Sequence, residues 1–97
     1  MNTNETLNQT LNKIWLKYKF NDADKLNFLA IISPILTHPE FRKRLDSSLY
    51  PHHDTTSLGE HILSDAAVTY KLSQNSKTNQ YLAVIIAMFH DLYEICL

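Results

Sequence analysis

Glycine is nearly missing from this chain: Gly59 is the one example in 97 residues. Tight two-residue hairpin turns need residues that accept positive φ, glycine above all, so hairpins and Greek keys are disfavoured. Proline is scarce too, at Pro34, Pro39 and Pro51 only. A single cysteine, Cys96, excludes an internal disulfide and leads us to expect a reducing, cytoplasmic setting. No basic-apolar-small segment opens the chain, so no signal peptide is expected. The longest apolar runs, around residues 28–36 and 81–89, are too short to span a bilayer. A net charge of −1 gives no general attraction to nucleic acid or to an anionic membrane, and neither is expected as a partner.

What is present reads as one globular domain over residues 1–97. Hydrophobic residues make up 44% and charged residues 20%, the composition of a folded chain with one modest core. The spacing predicts helices throughout, an all-α fold. Over 4–20, Leu7, Leu11, Ile14, Trp15 and Tyr18 share one stripe, with Lys13, Lys17 and Lys19 on a solvated basic face. A second helix opens at Asn21 or Asp22. Leu26, Leu29, Ile32 and Leu36 form its stripe, Phe28, Ile31 and Ile35 widen it, and Pro34 kinks or ends it. "THPEFRKRL" is a short helix capped by Thr37 or His38, with Pro39 in its first turn, Phe41 and Leu45 inward, and an Arg42-Lys43-Arg44 face read as solvated, with phosphate binding as the lesser reading.

The second half differs in charge. Up to Leu49 there are seven basic and five acidic residues; from Tyr50 there are two basic and five acidic, with four of the five histidines. A polar loop, 46–57, carries His52, His53 and Asp54. A capping box, Ser57 with Glu60, then starts a helix in which Leu58, Ile62, Val68 and Leu72 are available for packing. After the polar connector "SQNSKTN", "QYLAVIIAMFHDLYEICL" is apolar nearly all round as far as Phe89, which predicts a helix surrounded by others.

His61 and His90 lie fifteen residues before and fourteen after Ser76, the centre of that connector. At about 1.5 Å rise per residue both sit about 21–22 Å from the turn, level in an antiparallel pair. Two imidazoles and the neighbouring Asp91 carboxylate are suitable ligands for a divalent transition ion. The alternative reading is that His90 and Asp91 merely begin the solvated end of a core helix.

"SLGEHILSDA", followed at this distance by "AMFHDLYE", resembles the HD-domain superfamily of metal-dependent phosphohydrolases. The lead-in "YPHHDTTSLGEH" is similar to bacterial members with a His-rich loop. The likeness covers residues 50–97. It implies a bundle of about five helices in which His61, His90 and Asp91 hold a divalent ion (Mn, Fe, Co, Zn or Mg). It also implies a small phosphorylated substrate attacked by metal-activated water, with Asp91 and Glu94 in the catalytic role, Glu94 taking the place of the nucleotidases' acid; the alternative reading of Glu94 is an exposed residue near a helix end. The family's final aspartate ligand comes from a later helix that these residues do not contain, so a C-terminally incomplete domain is expected. Asp65, one turn from His61, departs from the usual apolar residue and is read either as exposed or as reaching the ion or orienting the imidazole. His53 and Asp54 are candidates for substrate binding or the metal shell, or belong to an exposed loop; His52 is read as exposed. Tyr93 and Cys96 are read as packing residues. The runner-up function is a catalytically impaired remnant that dimerises through uncovered apolar helix faces.

Overall fold

The computed structural model describes residues 3–51, 56–76 and 79–92, the Asp91 side chain excepted. They form five helices: α1 (Thr3–Lys17), α2 (Asp22–Leu36), α3 (Pro39–Arg44), α4 (Leu58–Ser73) and α5 (Gln80–Leu92). No strand occurs among them; a lone bridge joins Pro51 to Ser57. The all-α expectation is met.

Helix α1 buries Leu7, Leu11 and Ile14 and stops three residues short of the predicted end. Lys19 adopts φ 55°, and the Phe20 N–H donates back to the Trp15 carbonyl at 3.0 Å. The Trp15 and Phe20 rings meet 5.0 Å apart across this bond. Together these make a Schellman ending, with lysine where glycine is usual.

Asn21 caps α2. Its side chain accepts from the Asp24 N–H at 2.7 Å, and its own N–H donates to the Asp24 carboxylate at 3.1 Å. Pro34 does not interrupt the helix, which runs two residues further. The inward stripe is Phe28, Ile32, Ile35 and Leu36, whereas Leu26, expected inside, is 72% exposed. On a helix apolar on most sides, periodicity leaves the rotation open. Here it is fixed by Asp24, which is buried and receives Lys71 Nζ of α4 at 3.2 Å and Nε2 of Gln74, the residue that caps the end of α4, at 2.6 Å.

His38 caps α3, accepting from the Glu40 N–H at 3.1 Å. The basic triplet is not simply a solvated face. Arg42 donates 2.6 Å bonds to the Leu36 carbonyl and to Asn4, closing the end of α2 against the start of α1. Arg44 lies over the Tyr50 ring, and Lys43 pairs with Glu40 at 2.8 Å.

Helix α4 is capped by Ser57, whose fully buried hydroxyl accepts from the Glu60 N–H at 3.2 Å. Its inward face is Ile62, Leu63, Ala66, Ala67 and Tyr70; Leu72, expected to pack, is exposed. The six-residue connector 74–79 reaches at most about 21 Å, too short to return along the ~24 Å of α4. Helix α5 therefore runs antiparallel to α4 and packs along it. Gln80 Nε2 fixes the start of the pairing by donating to the Tyr70 carbonyl at 2.7 Å. Among the described residues, only one side of α5 is covered. Val84, Met88 and Leu92 are buried, but Tyr81, Leu82, Ile86 and Phe89 are exposed, which corrects the expectation of a helix surrounded on all sides.

Candidate functional site

The buried Ser57 cap and the close seat of Gly59 on the end of α3 fix the first turn of α4, where His61 stands. His61 Nε2 lies 3.0 Å from Asp65 Oδ2, one helical turn on. The imidazole is 31% exposed and the carboxylate 45%. Asp65 is thus partly exposed and also in contact with the imidazole, a position from which a carboxylate can orient the ring. With Asp65 on Nε2, a metal would be met through Nδ1, or would displace the carboxylate.

His90 stands in the last turn of α5, at the same end of the hairpin as His61. Its side chain is exposed. Position 90 is turned about 200° from Met88 and from Leu92, the residues that pack inward, and so falls on the outer side of the helix with Ile86. Asp91 belongs to α5, but its side chain lies outside the described residues, as do Glu94, His52, His53, Asp54, Tyr93 and Cys96. Among the described residues no three of His, Cys, Asp and Glu are grouped to hold a metal ion. The pair His61–Asp65 is what the described part of the expected site brings together.

His61 also borders a cleft that sequence reasoning missed. A space of about 290 Å³ between α1 and α4 is lined by Lys13 and Lys17 of α1 and the following Tyr18, and by Glu60, His61 and Ser64 of α4. It adjoins a larger one of about 580 Å³ lined by Gln9, Asp46, Ser47 and Ser48; Thr10, Lys13, Thr56 and Glu60 border both. The lysines of α1, read as a solvated face, thus look onto the turn that carries His61. The available signal was the hydroxyl pair Thr6 and Thr10 interrupting the apolar stripe. Thr10 is buried, and its hydroxyl donates to the Thr6 carbonyl at 2.8 Å. In the larger compartment the Ser48 hydroxyl and N–H both donate to Asp46, holding that carboxyl below the usual range.

No protein-family model, curated protein or solved structure matches the chain. No helix among the described residues is long and apolar enough to cross a membrane.

Proposed function

We propose that this is an HD-type helical domain that holds one divalent ion through His61, His90 and Asp91 and hydrolyses a small phosphate ester. The observation that supports it is the hairpin: His61 in the first turn of α4 and His90 in the last turn of the antiparallel α5 lie at the same end, and the proposal requires His90 to turn from the outer side of α5 toward α4 to share the ion. The His61–Asp65 contact adds a carboxylate suited to orienting a ligand imidazole. Imidazole and carboxylate donors fit a divalent transition ion. When bound, such an ion supplies a Lewis acid and an acidified water beside the phosphoryl group. The chain's own contribution is orientation: Asp65 sets the His61 ring, and the Ser57 cap sets the turn beneath it. Glu94, three residues after Asp91, is the candidate base for the attacking water.

Elemental analysis of the purified protein tests this. About one equivalent of a transition ion, lost in His61→Ala and in His90→Ala, is expected, with metal-dependent release of phosphate from a panel of nucleotides and sugar phosphates. No retained metal after loading with manganese, iron, cobalt or zinc would sink the proposal.

The exposed apolar side of α5 favours a second reading, an interaction module whose partner is a second copy of the chain. Tyr81, Leu82, Ile86 and Phe89 lie along one helix that carries no lysine or arginine, and no acid before Asp91, so two copies meet there without opposing like charges. Sedimentation that gives a dimer, dissociated by Ile86→Glu, is the expected result; a monomer at high concentration removes this reading.

A further inference from the structure

Two ammonium groups one turn apart on α1 look into the cleft beside His61. Neither Lys13 nor Lys17 pairs with a carboxylate among the described residues; Lys17 has only the Tyr18 ring, 5.4 Å away. By contrast, Lys43 and Arg44 pair with Glu40, and Lys71 pairs with Asp24. Like charges at this spacing repel unless a counterion sits between them. A dianionic phosphate supplies that counterion, and lysine binds phosphate as a point charge.

The adjoining space shares Lys13 and Glu60 with this cleft, lacks Lys17, and adds hydroxyl and amide groups and a further carboxylate, Asp46. Gln9, Asp46, Ser47, Ser48 and Glu60 offer amide, hydroxyl and carboxylate oxygens around a cleft of about 580 Å³, within the range of small-molecule sites. Asp46 is held ionised by Ser48 and remains an acceptor. Acceptors of this kind suit a polyhydroxyl group. A free inorganic anion would gain nothing from them, and an extended polyanion would be repelled by the two carboxylates.

We infer that the joined clefts between α1 and α4 bind a sugar phosphate, the phosphate against Lys13 and Lys17 beside His61 and the sugar hydroxyls against Asp46 and Glu60. As a statement of substrate class it rests on the phosphohydrolase reading. As a statement of binding it is independent of metal.

The test is calorimetric titration of metal-free protein with ribose 5-phosphate, and with ribose and inorganic phosphate separately. Ribose 5-phosphate is expected to bind at least tenfold more tightly than either part. The double variant Lys13→Gln/Lys17→Gln is expected to lose at least tenfold in affinity with unchanged helicity. Lys25→Gln, on α2 and paired with Asp22 at 3.8 Å, is the control and is expected to bind normally. Absence of binding, unchanged affinity in the double variant, or phosphate binding as tightly as the sugar phosphate would each overturn the inference. His90→Ala separates the two proposals: loss of metal with sugar phosphate still bound upholds the cleft, whatever becomes of hydrolysis. Metal retained by a protein that binds no sugar phosphate leaves the metal centre standing and removes the cleft.

Discussion

A methyl group placed on Gly59 would lie 2.8 Å from the backbone nitrogen of Leu45 and 2.9 Å from the Arg44 carbonyl. These are backbone atoms and cannot swing aside, so the start of α4 is seated on the end of α3 through the one residue without a Cβ. Alanine normally improves a helix interior by about 1 kcal/mol over glycine. Here the sign reverses. Gly59→Ala is expected to destabilise the fold by about 1–3 kcal/mol, the range for overpacking, seen as a lowered urea midpoint. An unchanged or raised midpoint would mean that the two helices are not held this closely.

Lys19 gives the opposite case. It holds a left-handed conformation at the end of α1 at a steric cost that glycine does not incur. Lys19→Gly is expected to stabilise by about 0.5 kcal/mol, because relief of the strain outweighs the extra freedom glycine gains on unfolding. Chemical denaturation with unchanged slope is the check; destabilisation would argue against a Schellman ending here.

Asp24 ties α2 to α4 and carries a pH dependence. Burial pushes its carboxyl up, but the Asn21 N–H, Lys71 and Gln74 together outweigh this and hold it below the ordinary 3.8. A carboxyl depressed in the folded state contributes stability that is present above the unfolded value and lost as the pH falls through the folded one. Asp24→Asn is therefore expected to destabilise at neutral pH, by on the order of 2 kcal/mol for the lost charged bonds. The gap from the parent should narrow as the pH drops below 3.8. Unfolding midpoints for both proteins across the acid range decide it; a gap independent of pH would count against an ionised Asp24.

The contact between His61 and Asp65 makes a prediction about metal rather than fold. Asp65 is half exposed, so Asp65→Asn should leave the helical content unchanged. If His61 is a ligand, loss of the orienting carboxylate should weaken metal binding by about 10–100-fold. Metal titration by calorimetry reads this. Equal affinity in parent and variant would reduce the contact to a surface ion pair.

Much of the architecture was legible because the signals were local. The Ser57 cap, His38 with Pro39, and the stripe Leu7–Leu11–Ile14 each depend on neighbours within a turn or so, and are found where the pattern put them, although of the capping box only the Ser57 bond to the Glu60 N–H forms. Rotation was not legible where a helix is apolar on most sides. Leu26 and Leu72 point outward because Asp24, a single carboxylate drawn to the end of α4, turns the two helices toward each other. The uncovered side of α5 escaped notice for a related reason: hydrophobicity alone does not say whether a covering partner lies among these residues. Of the site, the position of His61 and His90 at one end of the hairpin followed from counting residues about a turn, whereas the outward side on which His90 falls did not. The lysine-lined cleft did not, since it depends on α1 lying across α4, a contact between helices more than forty residues apart.

The ring cluster has an optical consequence. Trp15, the single tryptophan, packs 5.0 Å from Phe20 and 6.0 Å from Phe28, and both of these touch Tyr70. Its emission therefore reports whether α1, α2 and α4 are joined. Far-ultraviolet dichroism counts α5 along with the rest. Changes made on the outer side of α5 can then be sorted by colour: helical signal lost at constant tryptophan wavelength marks fraying of α5 alone, and a red shift marks opening of the body that carries His61.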